Sequence, residues 1–354
     1  MNVNSSSEPL RVAILAPIAW RTPPRTYGPW ELFASLLAES LVGLGHDVTL
    51  FATADSMTAG RLHSTSAMGW SEDTTIEPKV AECLHIASVF ERADQFDVIH
   101  NSFDFLPLTY SELVRTPVVT TIHGFSSEAI VPVYQRYNAT NNYVSISDTN
   151  RHQRLRYAAT IHHGIDVDSF ALEPLPDDYL LFFGRIHPHK GTAEAIEVAK
   201  LSRRRLVIAG IVQDQRYFDE EIAPHIDGDK VTFAGAVGGS EKHQLLAKAS
   251  ALLHLISFDE PFGFSVVEAM ACGTPTVAFT RGSMQELLEP GSGFLVRDIA
   301  DAVDAVSCLS TLDRQAVRKS ARRFEATTMA SQYSNLYREV VERRQVRGHE
   351  RTLF

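Results

Sequence analysis

The segment Phe258–Ala278, FDEPFGFSVVEAMACGTPTVA, holds the densest grouping of residues in this chain that could do chemistry. Glu260 and Glu268 are separated by seven residues, and Gly263 sits where a loop would turn into a helix. Phe264 to Ala271 is helical in composition. That places Glu268 on the second turn and makes the amides of Gly263, Phe264 and Ser265, next to Phe262, first-turn donors. Such amides can hold sugar hydroxyls or phosphate oxygens. A carboxylate such as Glu268 can accept both hydroxyls of one ribose. Two glutamates at this spacing would also suit an amphipathic helix with solvated acids. The flanking Pro-Phe-Gly and Ala-Met-Ala-Cys-Gly-Thr-Pro favour the functional reading.

A second grouping is FFGRIHPHKG, Phe182 to Gly191. A strand ends at Gly184, Arg185 follows at once, and Lys190-Gly191 precedes the next helix. A guanidinium fork plus a point-charge ammonium beside a helix N-terminus suits a diphosphate. Standing alone, the loop would read as a connection carrying solvated bases. His187 and His189 alternate but have no carboxylate or cysteine nearby, so they read as polar loop residues and not as metal ligands.

These loops need a scaffold, and the sequence supplies one. Arg11–Ala16 is an apolar strand, Ile18–Pro29 a proline-rich loop, and Glu31–Leu44 repeats apolar residues at helical spacing before Gly45. Asp47–Ala52, Asp97–His100, Pro117–Ile122 and Asn142–Ile146 are further short strands. The pattern pauses over the acidic stretch Asp166–Asp178 and restarts with strand Tyr179–Phe183 and helix Thr192–Leu201. Strands follow at Arg205–Ala209, Lys230–Phe233, Ala251–Leu255 and Thr276–Phe279, and Gln315–Arg323 and Thr327–Arg344 read as closing helices. Short apolar strands alternating with helices predict parallel sheets covered on both faces. The expected fold is α/β: two doubly wound Rossmann-like domains facing across a cleft, residues 1–170 and 171–330, with 331–354 as a closing helix and tail. Ligands would bind between them, outside the carboxyl ends of the strands.

A length of 354 residues is comfortable for two such domains, and 44% hydrophobic with 21% charged residues excludes a disordered chain. No apolar run approaches the roughly 20 residues that span a bilayer. The charge sum of 33 minus 43, or −10, disfavours a nucleic-acid partner. MNVNSSSEPLR lacks signal-peptide order, and three scattered cysteines form neither a disulfide framework nor a zinc spacing, so a cytoplasmic setting is expected. The basic run Arg151–Arg156 reads as a solvated helix face, with weak membrane-surface contact or an anionic acceptor as the other readings.

The Gly-Arg…Lys-Gly loop and the Glu-x7-Glu segment resemble those of the retaining glycosyltransferases of family 4 (glycosyl transferases group 1), which have the GT-B fold. The likeness continues through RTYGPWE and GHDVTLFA, TTIHGF, HHGIDVDSF at the domain junction, RGSMQELL and GSGFLV, from about Arg11 to Tyr337. It implies an N-terminal acceptor domain and a C-terminal donor domain. Arg185 and Lys190 would bind the nucleotide diphosphate and Glu268 the ribose, while Glu260 would contact the donor sugar hydroxyls and His123 would lie near its 6-hydroxyl. Gly28 matches the first residue of a Gly-Gly pair that approaches the phosphates, but here the pair is Gly28-Pro29, and proline has no N–H to give.

The expected activity is transfer of a hexosyl unit from a nucleoside diphosphate sugar to an acceptor hydroxyl with retention. UDP-glucose or GDP-mannose would be the donor, and no cofactor is needed. Asp166-Val167-Asp168 and Asp227-Gly228-Asp229 mimic the Asp-x-Asp metal motif of another glycosyltransferase fold, but the first belongs to the junction motif and the second to a turn before a strand. No metal is expected. The rival readings are a silent sugar-nucleotide binding module, and a nucleotide-sugar hydrolase or epimerase on the same fold. A dinucleotide-dependent oxidoreductase is disfavoured because the first turn, APIAWRTPPRTYGP, lacks G-x-G-x-x-G.

Overall fold

The computed structural model describes residues 8–352, and side chains for residues 8–344. Contacts divide the chain into two units. The first comprises the chain through Ile146, Arg151–Gly164 and everything from Ala326 onward; the second comprises Ser147–Asn150 and Ile165–Glu325.

In the first unit the strands are β1 (Arg11–Leu15), β2 (Asp47–Phe51), β3 (Arg61–His63), β4 (Val98–Asn101), β5 (Val118–Ile122), β6 (Asn142–Ser145) and β7 (Tyr157–Thr160). They form one parallel sheet in the order β3-β2-β1-β4-β5-β6-β7. β4 and β5 are buried along their whole length, as unalternating apolar strands must be when both faces are covered. Helix α1 (Pro29–Gly43) opens with proline at a position whose N–H would have no helical partner. Helix α2 (Pro78–Phe90) covers one face, with Ile86, Val89 and Phe90 packed in a core with Ala13, Leu15 and Ile99.

The second unit holds β8 (Tyr179–Phe183), α3 (Thr192–Leu201), β9 (Arg205–Ala209), β10 (Val231–Gly235), α4 (Gly239–Lys248), β11 (Ala251–His254), α5 (Phe264–Ala271), β12 (Thr276–Phe279), β13 (Gly293–Val296), α6 (Ile299–Ser307) and α7 (Arg314–Ala321). The sheet is again parallel, in the order β10-β9-β8-β11-β12-β13. α3 and α6 pack together over a core of Leu180, Phe182, Leu253 and Val277, while α5 packs on β11 and β12 between α4 and α7. The last helix, α8 (Ala326–Thr352), follows the second unit in sequence but belongs to the first. It packs on α1, and Tyr333 and Tyr337 bond to Thr121 and His100 at 2.7 Å each.

Both units are therefore doubly wound Rossmann-like domains. Each has a topological switch point, between β1 and β4 in the first and between β8 and β11 in the second, where the carboxyl ends of the strands open a ligand crevice.

The basic run departs from its expected form. Arg151–Arg156 is not helical but a turn feeding β7. Local partners hold it there: the Arg151 guanidinium lies 4.9 Å from the Tyr157 ring, Arg154 pairs with Glu128 at 2.6 Å, and the Arg156 amide donates to Asn138 Oδ1. β3, β7 and β13 were not anticipated either. β3 and β7 lie at the two edges of their sheet and lack a buried apolar run.

Candidate functional site

The loop after β8 carries Arg185 and Lys190. A Cβ at Gly191 would lie 2.1 Å from the Leu255 carbonyl oxygen, and φ there is +81°, so glycine alone lets this loop settle onto the chain leaving β11. Ser257 N donates to His189 O at 3.1 Å, which locks the two loops together. Lys190 Nζ then reaches Glu260 Oε2 at 2.5 Å, with both side chains under one-fifth exposed, and sits 4.7 Å from the Phe258 ring centroid. Arg185 Nη1 donates to Gln213 Oε1 at 2.8 Å, on the loop after β9. The structure thus joins Lys190 and Glu260 directly, a pairing that residues 70 apart in sequence did not announce.

The backbone of Glu260 is fixed by the Arg281–Ser283 turn: Ser283 N donates to Glu260 O at 3.0 Å, and Ser283 Oγ bonds to Phe262 O. Gly263, with φ at +110°, starts α5, and no side chain caps that start. The amides of Phe264 and Ser265 therefore open the helix at the carboxyl end of the sheet, beside Phe262. Glu268 stands on the second turn as expected, 4% exposed, but it is not waiting alone: Lys242 Nζ on α4 holds its Oε1 at 2.7 Å. The far end of α5 is tied down by α7, where Arg318 Nη1 donates to the Ala271 and Phe170 carbonyls.

The two Asp-x-Asp segments do structural work. Asp166 accepts from the amides of Asp168 and Ser169, and Asp168 is taken by Arg322. Asp227 Oδ1 accepts from the amides of Asp229, Lys230 and Val231, closing the turn before β10.

In the first unit, His123 follows β5. It is 7% exposed, with Ser102 Oγ on Nε2 at 2.9 Å and His163 Nε2 on Nδ1 at 3.3 Å. Trp30 stacks on it at 5.2 Å and 21°, and Phe33 meets it edge-on at 4.9 Å. Burial lowers its pKa to about 3, so the ring is a neutral imidazole at physiological pH. A sugar hydroxyl would have to displace Ser102 or His163 to reach a ring nitrogen.

Gly28 has φ at +147°, and a Cβ there would meet Glu31 Oε2 at 2.8 Å. Glu31, which sequence reasoning passed over, is 3% exposed on the first turn of α1. Its Oε1 accepts the Trp20 amide at 3.3 Å, and desolvation lifts its pKa to about 7. The departure at Pro29 thus opens a helix whose Glu31 carboxyl holds the preceding loop at Trp20. Ser102, Lys242 and Gln213 were also missed, because each meets its partner across 21 to 28 residues and leaves no periodic or motif signal; His163 lies in the HHGIDVDSF segment, but its pairing with His123 across 40 residues is not visible there.

Comparison with known proteins agrees with this architecture. Residues 31–169 match the family model for Glycosyltransferase Family 4, and residues 167–324 match that for Glycosyl transferases group 1. Phosphatidyl-myo-inositol mannosyltransferase of Mycobacterium tuberculosis is 27% identical over 288 residues, covering 69% of this chain and 74% of that protein. AviGT4, a glycosyltransferase involved in avilamycin A biosynthesis, superimposes with a TM-score of 0.74 at 27% identity, over 94% of this chain and 98% of its own. Anabaena HepE, solved in complex with UDP and glucose, shares the fold with a TM-score of 0.72 at 20% identity, over 92% of this chain and 98% of its own. With two matched models running end to end over two Rossmann-like units, the chain belongs to the family 4, group 1 glycosyltransferases of the GT-B fold.

Proposed function

We propose that this enzyme transfers a hexosyl unit from a nucleoside diphosphate sugar to an acceptor hydroxyl, with retention of anomeric configuration and without a metal ion. The observation that carries the reading is the pair of interlocked loops at the β8/β11 switch point, which bring Lys190 onto Glu260 at 2.5 Å beside the start of α5. In this reading a diphosphate displaces Glu260 from Lys190 and takes Arg185 as a second cation. Glu260 then turns to the sugar hydroxyls, and Glu268 accepts the ribose. As the bond from the anomeric carbon to the phosphate oxygen breaks, negative charge grows on the diphosphate. Arg185, Lys190 and the α5 amides stabilise that charge electrostatically.

In this reading Glu260 is taken up by the donor sugar hydroxyls, and both ring nitrogens of His123 are already bonded, to Ser102 and His163, so neither is free to act as nucleophile or general base. A same-face substitution in which the leaving phosphate accepts the acceptor proton fits better. UDP-glucose is the favoured donor, supported by the UDP and glucose held by HepE; GDP-mannose follows, given the mannosyl transfer named for the mycobacterial relative. Among the described residues no helix is long and apolar enough to cross a membrane, and the three cysteines are free thiols, which suits a reducing, cytoplasmic setting.

The test is slow donor hydrolysis without acceptor, followed by proton NMR at the anomeric position. UDP-glucose or GDP-mannose should be consumed with the α-anomer released first, and the rate should survive exhaustive chelation because Arg185 and Lys190 neutralise the diphosphate. Loss of all turnover on chelation, restored by magnesium or manganese, would refute metal independence. Binding without any turnover would favour a silent sugar-nucleotide module.

A further inference from the structure

Three consecutive carbonyls in the loop between β11 and α5 are each held by a donor from elsewhere in the chain. Glu260 O accepts the Ser283 amide at 3.0 Å, Phe262 O accepts Ser283 Oγ, and Pro261 O between them accepts Ser147 Oγ at 2.7 Å. The two outer bonds come from the Arg281–Ser283 turn. The middle one comes from 114 residues away. Proline has no N–H, so the carbonyl is the one polar main-chain group by which Pro261 can be held.

Ser147 belongs to a short stretch, Ser147–Asn150, that follows β6 in sequence but groups with the second unit. Glu286, on the helical turn Met284–Leu287 directly after Ser283, grips that stretch with both carboxylate oxygens. Its Oε2 accepts the Asp148 amide and its Oε1 the Thr149 amide, each at 2.9 Å, and Thr149 Oγ1 also donates to Oε1 at 2.9 Å. Bonds from main-chain amides to an ionised carboxylate are stronger than those between neutral groups. The Asn150 amide donates to Ser147 Oγ at 3.1 Å, and the serine's single hydroxyl proton goes to Pro261. A closed ring results. Glu286 fixes the stretch 147–150, that stretch fixes Pro261, and Ser283 fixes the carbonyls on either side. The donor reading had left the RGSMQELL segment, Arg281–Leu288, without a task.

We propose that Glu286 is a positioning residue for Glu260: by holding the Asp148 and Thr149 amides it sets Ser147 Oγ on the Pro261 carbonyl, and so fixes the main chain one residue beyond the carboxylate that meets the donor sugar. This deepens the donor-site reading above and rests on it. Glu286 spends its oxygens on the main chain and is assigned no contact with sugar or phosphate. Its influence therefore falls on the placement of Glu260 against the sugar. The nucleoside diphosphate, held in that reading by Arg185, Lys190 and Glu268, is spared. A misplacement of about 1 Å, caused far from the chemistry, can lower a rate as much as 10²-fold.

The experiment pairs isothermal titration of UDP and of GDP into the full chain with acceptor-free hydrolysis of UDP-glucose and of GDP-mannose. Glu286→Gln leaves one acceptor oxygen where two amides and a hydroxyl need the carboxylate's two. Ser147→Ala removes the bond to Pro261 alone. Each should slow turnover roughly tenfold, the effect of about one lost hydrogen bond felt at the reacting centre. Nucleoside diphosphate affinity should stay within about twofold of wild type, a split that a general loss of stability would not produce. The double variant should be no slower than the slower single, because both changes act through one bond to Pro261. Should Glu286→Gln not fold, Ser147→Ala, which deletes a single oxygen, still decides the split. Wild-type turnover in either folded variant, equal losses of turnover and nucleotide affinity, or losses that multiply in the double variant overturn the proposal and leave the donor site standing. A wild type that binds neither nucleotide, or turns over neither sugar nucleotide, overturns the donor-site reading, and this proposal with it.

Discussion

Replacing Arg185 by alanine is expected to lower turnover about 10²–10³-fold, by analogy with removing one preorganised donor to a charge that develops in the transition state. The guanidinium comes from the loop after β8 and is steadied by Gln213 at 2.8 Å, so it is oriented before substrate arrives. Donor affinity should fall less than turnover, because only an interaction that strengthens toward the transition state accelerates the chemistry. Lys190→Ala should act in the same direction, with one added consequence: Glu260 loses its partner at 2.5 Å. The double variant should be less than additive, since both cations serve one diphosphate. Neither change touches a strand or helix interior, so the circular dichroism spectrum should be unaltered. Near-normal turnover in a folded Arg185→Ala protein would contradict electrostatic stabilisation by this loop.

Glu268→Ala is expected to weaken binding of the cognate nucleoside diphosphate roughly 10–150-fold, the equivalent of losing hydrogen bonds to a charged group worth about 1.5–3 kcal/mol. The structure adds a complication to interpreting that number. Glu268 is 4% exposed and pairs with Lys242, itself largely covered, so alanine also strands a cation. Removing one member of a buried pair destabilises the fold in its own right. A denaturant melt of the same variant, and the double change with Lys242→Met, separate that cost from the loss of affinity. If the double variant keeps wild-type stability and wild-type nucleotide affinity, Glu268 does not hold the ribose.

Much of the scaffold was legible because buried parallel strands write themselves as unbroken apolar runs. Tyr179–Phe183, Arg205–Ala209 and Thr276–Phe279 were bounded to the residue for that reason. β3 and β7 were not, since edge strands need no such run. Arg151–Arg156 misled because clustered basic residues resemble a solvated helix, whereas Glu128, Asn138 and Tyr157, each remote or invisible as a partner in sequence, fold it into a turn. Within the site, the short-range features were readable: Gly263 starting α5, Glu268 one turn on, Asp227 closing a turn. The pairings were not. Lys190 with Glu260 and His123 with Ser102 join loops that follow neighbouring strands, His163 reaches His123 from beyond β7, and Lys242 with Glu268 joins two helices, all between residues distant in sequence. Such contacts are set by the strand order, which no local pattern encodes.

The most direct test of the donor site is a thermal-shift screen of the wild-type chain against nucleoside diphosphates and their sugars, in the presence of a chelator. One nucleoside diphosphate at a hundredfold excess over its dissociation constant should raise the melting midpoint by roughly 4 °C. That shift should shrink in Glu268→Ala and in Lys190→Ala. No shift with any nucleoside diphosphate, or an undiminished shift in both variants, would contradict the assignment of these loops to nucleotide-sugar binding.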